Sequence, residues 1–210
     1  MSSLTDDLLR QLQGQPLEQM SSQLGLSQSQ TAGAVSAALP LLMGALGRNA
    51  SQPQGAEALF GALQRDHAGG SGLDIGSVLG AVLGGGGASR QTDGAGILGH
   101  IFGGRQETAA QGLGQATGLG GGQANTLLKI LAPIVLSYLA QRMFSGGGQA
   151  AAASPQALGD VLGQERQRIQ QDSGAGGLLG AVLDQDGDGQ LGLGDLLKIG
   201  GGLLGGGGNR

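Results

Sequence analysis

Glycine decides where this chain can be helical. Forty-seven of its 210 residues are glycine, roughly three times the ordinary share of about 7%. They gather in runs, such as 84–87, 146–148 and 205–208. A collagen-type helix, which needs glycine at every third position, is therefore excluded. Each helical glycine costs about 1 kcal/mol relative to alanine, so the runs cut the sequence into separate segments. Those segments are rich in Leu, Ala and Val, and aromatics are limited to three Phe and one Tyr. The core must be aliphatic. Runs of Val and Ile, which a buried parallel sheet requires, are missing, and with no cysteine there is no disulfide framework.

Eleven Lys and Arg stand against fifteen Asp and Glu, giving a net charge of −4. The basic residues never cluster, so nucleic acid is not the expected partner, nor is there a polybasic membrane patch. The opening residues lack the basic region of a signal peptide, and Asp6 and Asp7 interrupt their apolar stretch. No apolar run reaches the ~20 residues that span a bilayer. The nearest are Ala32–Gly47 and Leu127–Leu139, the second carrying Lys129. The expectation is a soluble cytoplasmic protein, with envelope association as the alternative.

Caps and stops predict the helices. Ser3 caps a first helix over residues 4–13. Pro16 suits the first turn of a second over 16–24, and Gly25 is a left-handed stop. Ser27 and Gln30 form a capping-box pair opening a third. There Val35, Ala38, Leu39, Leu42 and Leu46 make one apolar stripe, and Pro40 either kinks the helix or divides it. Further helices are expected over 53–64 and 74–83. The second half repeats the order: Gly25-Leu26, Gln30, Pro40 and Leu46 match Gly118-Leu119, Gln123, Pro133 and Leu139 at one offset of 93 residues. A helix over 123–144 carries Leu127, Leu131, Ile134 and Tyr138 on one stripe. Ser154 and Pro155 open a polar helix ending near Asp172, with Glu165, Arg166 and Arg168 facing solvent.

The expected fold is an all-α duplicated helical array with glycine-rich linkers and a C-terminal EF-hand-like loop. Its parts are a first helical unit (1–83), a glycine-rich linker (84–94), a second unit repeating the first (95–144) and a Gly/Ala linker (145–153). A polar helix plus calcium loop (154–204) and a frayed tail (205–210) follow.

Chemistry is most specific in Asp184–Asp195, where Asp-x-Asp-x-Asp-Gly opens a twelve-residue loop of the EF-hand kind. Ca²⁺ takes six to eight hard oxygens at about 2.3–2.6 Å. Asp184, Asp186 and Asp188 supply alternating carboxylates, and Gly189 permits the sharp turn. Gln190 offers its backbone carbonyl and Asp195 is the last ligand. Asp is shorter than the usual Glu at that twelfth position, so affinity of roughly 10⁻⁵ M or weaker is expected. A degenerate copy over Gln64–Gly69 retains Asp66 and Gly69 but too few carboxylates to hold the ion.

Other signals carry less. Three G-x-G-x-x-G matches are what this glycine content supplies by frequency, and none follows a predicted strand. His67 and His100 have no Ser or second His at a useful spacing, and His100 is expected to be a half-buried helix residue. No nucleophile elbow is present. The chain is expected not to be an enzyme.

The stretches Leu4–Leu12, Gln23-Leu-Gly-Leu-Ser27, Ala37-Ala-Leu-Pro-Leu-Leu-Met-Gly-Ala-Leu46 and Gly96-Ile-Leu-Gly-His-Ile-Phe-Gly-Gly-Arg-Gln106 resemble the bacterial domain-of-unknown-function family 937 and the related YidB-like helical proteins. The resemblance covers residues 1–144 and implies a bacterial helical protein with no established activity or catalytic residue. It also implies an Asp-Arg-Asp-His-Asp-Gly segment where this chain has Gln64–Gly69, so that the degenerate loop departs from the family's pattern. The C-terminal loop resembles single EF-hand or dockerin-type calcium segments. The function expected is a non-enzymatic protein binding one Ca²⁺ in a structural or interaction role. The alternative is a metal-independent scaffold that self-associates, or takes a protein partner, through Leu/Ala helix faces.

Overall fold

In the computed structural model the described residues are 3–67, 79–81, 93–144 and 153–171, and all their regular structure is helical. Local chemistry starts and stops each element. The Ser3 hydroxyl accepts from the Asp6 amide at 2.9 Å, opening α1 (Leu4–Leu12), which buries Leu4, Leu8 and Leu12 on one face. Pro16 lies in the first turn of α2 (Gln15–Leu24). Gly25 ends α2 at φ 64°, in the left-handed region where a Cβ is costly. Ser27 and Gln30 exchange both bonds of a capping box at the start of α3 (Gln28–Ala50). Then come α4 (Pro53–Ala62), a π turn over Leu63–His67, and a helical turn at 79–81 whose Leu79 is buried.

The Asp93 carboxylate accepts from the Gly96 amide and opens α5 (Gly94–Phe102). A 3-10 turn, Gly103–Arg105, leads to α6 (Gln106–Thr117), which stops at Gly118 with φ 72°. Gly120 donates its N–H to Gln123 Oε1 at 3.2 Å just before α7 (Gly121–Phe144). This is one half of a capping box; the other half is impossible because glycine has no side chain. Ser154 accepts from the Ala157 amide and opens α8 (Pro155–Gln171). Met1–Arg168 is one compact unit. Of a second unit, Ile169–Arg210, the described residues are the end of α8.

The core is built around α3 and α7, which pack along each other. Every α7 residue from Ile130 to Ala140 is buried, as expected of a helix covered on all sides. Pro40 and Pro133 both lie inside continuous helices, so neither divides its helix. An interior proline costs about 3 kcal/mol; burying several Leu and Ile side chains at about 1.5–3 kcal/mol each offsets it. Pro133 has no N–H to give the Lys129 carbonyl one turn earlier. The backbone of α5 lies against that same carbonyl at Gly94, where a Cβ would collide with it. The helix fault and the missing side chain fit together.

By length and composition α3 and α7 are each long and apolar enough to cross a membrane. Their full lengths, 23 and 24 residues, exceed the apolar runs seen in the sequence because caps and polar ends extend them. The most apolar window is 72% buried in α7 and 50% buried in α3, so the fold already uses much of this surface as core.

Two glycines of α5 separate packing from propensity. Gly94→Ala is expected to lower stability by about 1–3 kcal/mol through overpacking against Lys129, or several degrees in Tm. At Gly99 a Cβ meets nothing within 4 Å, so Gly99→Ala is expected to raise stability by about 0.5–1 kcal/mol. Thermal unfolding followed by circular dichroism measures both. Equal effects at the two positions would remove the close-approach explanation.

Candidate functional site

The most elaborate polar arrangement among the described residues is where α8 meets α1. Leu158, Leu162 and Glu165 recur at helical spacing on α8, and all three are buried. The first two are core residues. The third is a carboxylate only 3% exposed, contrary to the expectation that Glu165 faces solvent. What brings it inside is the close crossing of α8 and α3. A Cβ at Gly47 would lie 3.0 Å from the Leu162 carbonyl, and one at Gly159 would lie 3.3 Å from that of Ala50.

Glu165 thereby reaches the open end of α1. Its Oε2 accepts from the Leu4 amide at 3.1 Å, and its Oε1 accepts from the Thr5 amide at 2.9 Å and the Thr5 hydroxyl at 2.6 Å. Ser3 takes the Asp6 amide through its hydroxyl and the Asp7 amide through its carbonyl. The N–H groups of Leu4, Thr5 and Asp6, which a helix cannot satisfy internally, thus all have acceptors. A carboxylate there also meets the positive end of the helix dipole.

Tyr138 of α7 stands in the same electrostatic neighbourhood. Its hydroxyl is buried and has no hydrogen-bond partner among the described residues. Burial raises the phenol's pKa above 10.0, its ordinary value; Asp7 and Glu165 raise it further, while Arg142 and Arg10 oppose them. Arg10 and Asp7 pair at 3.2 Å at the surface, where such contacts contribute little. The arrangement binds a helix end with an anion and keeps a phenol neutral. Its backbone donors are already occupied. The sequence places Tyr138 on the apolar stripe of its helix, and it is buried there; Glu165 was expected in solvent, although its place at helical spacing from Leu158 and Leu162 was a readable signal.

The predicted calcium ligands Asp184, Asp186, Asp188, Gln190 and Asp195 lie outside the described residues. Of the degenerate copy, Gln64 and Arg65 are exposed in the π turn, with Arg65 Nε donating to the Gly61 carbonyl at 3.0 Å. Gly69 lies outside the described residues. No group of three metal-binding side chains occurs among the described residues. His100 is exposed rather than half-buried; its carbonyl accepts from Asn49 Nδ2 at 3.2 Å.

An open groove of about 290 Å³ runs between α1, α2 and α3, walled by Leu9, Leu12, Leu17 and Val35 with Gln13 and Ser36 among its lining. Ser36 is the residue whose carbonyl loses its donor to Pro40, as Lys129 does to Pro133. Between α6 and α7, Gln106 Nε2 donates to Asn125 Oδ1 at 3.4 Å; the residues 93 positions earlier are Gln13 and Ala32.

These features define an all-helical protein built on two proline-containing core helices. The chain belongs to a bacterial family of unknown function, DUF937, whose model matches residues 6–142. No curated protein and no solved structure matches it. The match runs from α1 almost to the end of α7 and leaves α8 outside.

Removing the carboxylate tests the α8–α1 contact. Glu165→Ala is expected to cost about 1.5–3 kcal/mol, the range for hydrogen bonds to a charged acceptor, and Glu165→Gln less, in denaturant unfolding. Tyr138 is the only tyrosine and there is no tryptophan, so ultraviolet absorbance titrates this one phenol. A raised folded pKa means the folded state prefers the protonated form. The linked stability is fully present below pH 10.0 and is lost as pH rises through the folded value. Tyr138→Phe is expected to abolish this alkaline dependence and leave stability at neutral pH equal or higher. An ordinary titration midpoint would contradict the burial assigned here.

Proposed function

We infer that this is a non-enzymatic structural or interaction protein: a helical body made of two related units, extended by a loop that binds one Ca²⁺. The observation that carries the metal reading is the spacing of Asp184, Asp186, Asp188 and Asp195 around Gly189. Chance yields such a pattern on the order of 10⁻³ times in a chain of this composition, from the residue frequencies at the motif positions. In this reading Ca²⁺ gathers four carboxylates, takes the Gln190 carbonyl, and orders the loop with Leu183, Leu191 and Leu196 turned inward. The non-enzymatic reading rests on the absence of cysteine and the isolation of the two histidines in the sequence.

The duplicated-unit reading is supported by paired details. Gly25 and Gly118 both stop a helix with positive φ. Gln30 and Gln123 both accept from the backbone N–H three residues earlier, at 3.1 and 3.2 Å. Pro40 and Pro133 both sit mid-helix in the two longest helices described. All three pairs share the offset of 93 residues.

Isothermal titration of the full chain with Ca²⁺ is expected to show one weak site, of roughly 10⁻⁵ M or weaker, that Asp184→Ala abolishes. No heat at millimolar Ca²⁺ would sink the metal reading. The groove on α1–α3 favours the second reading, a metal-independent scaffold that self-associates through apolar helix faces. Sedimentation with and without chelator separates the two: an oligomer indifferent to chelator supports the scaffold.

A further inference from the structure

We propose that the chain is a fused dimer: the surface joining residues 3–67 and 79–81 to residues 93–144 and 153–168 is a two-fold interface, and the partner it fits is a second copy of the same helical unit. This rests on the duplicated-unit reading and goes beyond it, since repeats can also sit side by side without symmetry.

A two-fold interface is reciprocal: where element A of one copy touches element B of the other, B of the first touches A of the second. The long helices α3 and α7, equivalent in the two halves, pack on each other. α2 lies against α7, with Gln123 Nε2 donating to the Leu24 carbonyl at 3.2 Å. The equivalent pair, α6 against α3, is also in contact. The elements following the long helices cross over in the same manner. From the first half, the π turn packs on α7, and Phe60 meets Phe144 with ring centres 5.6 Å apart. From the second half, α8 crosses α3 at Gly47 and closes on α1 through Glu165. Each half is thus completed by an arm from the other, as in an exchanged dimer.

The symmetry is incomplete at α1 and α5: α5 packs on α3, whereas its counterpart α1 makes no comparable contact with α7. The first N–H groups of α1 go to Glu165 across the seam, whereas α5 is capped by its own Asp93. The groove between α1, α2 and α3 faces Ala32, where the second half has Asn125. Such differences are free to accumulate once two copies share one chain, because each interface residue then has its own codon.

If the halves form a dimer by construction, the segment joining them is dispensable for pairing. A protease site placed in the glycine run 84–87 of the full-length protein allows the test. After cleavage, native mass spectrometry is expected to find the two pieces as a one-to-one complex. After the cleaved protein is denatured and refolded, first-piece homodimers are expected beside the one-to-one complex. Pieces that part on cleavage, or refolding that yields only one-to-one pairs, would overturn the two-fold interface. The repeat is checked independently on the uncut chain, where backbone chemical shifts report left-handed stops at Gly25 and Gly118. Stops present without first-piece pairs leave the duplication standing and remove the fused dimer.

Discussion

Close approach of helix backbones is the constraint on which the rest depends. With three Phe, one Tyr and no Trp, the core cannot be filled by large rings, and helices must come together over small residues instead. At Gly47 and Gly159 the α3 and α8 backbones nearly touch, and at Gly94 α5 rests on the Lys129 carbonyl. Dispersion between closely packed atoms is small per pair and large in sum. It falls off within an ångström of added separation, so one methyl group at such a crossing matters more than one on an exposed face. The abundance of glycine is therefore partly a packing property, beyond its role in stops and linkers.

Close approach also explains why a carboxylate can be buried. An ionised group in the interior is costly unless its lone pairs are satisfied. Glu165 arrives at the one place on α1 where backbone N–H groups need acceptors. Three donors from Leu4 and Thr5 replace the water it loses, and the helix end gains what it would otherwise take from solvent. Tyr138 is the counterexample nearby. Its hydroxyl has no such partner among the described residues, and two carboxylates in its neighbourhood make ionisation harder still. The two groups show the same rule with opposite outcomes: burial of polarity is tolerated where geometry answers it.

Local features were legible in the sequence because they have local causes. Gly25, Pro16 and the Ser27–Gln30 box act within four residues, and each appears where the sequence places it. α6 is harder to foresee, since it is helical through Gly112 and Gly114. Its support comes from packing against α3 and α7, and tertiary contacts override propensity. Whether Pro40 and Pro133 break their helices was likewise undecidable locally, because the answer depends on what the flanking turns bury. Glu165 fails for distance: its partners lie 161 and 160 residues away, beyond any spacing rule. The proposed calcium loop is the reverse case: it is legible only as spacing, since ligands drawn from the twelve residues Asp184–Asp195 would need no distant partner.

The family match gives these contacts a direction. It covers residues 6–142 and so includes all of α3, α7 except its last two residues and α1 except its first two. Glu165, which takes the first two N–H groups of α1, lies outside it. Within the matched stretch and its immediate flank, Ser3 serves the Asp6 and Asp7 amides of that end. α8 thus supplies acceptors for a helix start that lies at the edge of the matched stretch, and it does so at a crossing where a Cβ at position 47 would lie 3.0 Å from the Leu162 carbonyl. The segment following α7 is in this sense part of the body: its carboxylate finishes the first helix of the chain, and its Leu158 and Leu162 extend the core that α3 begins.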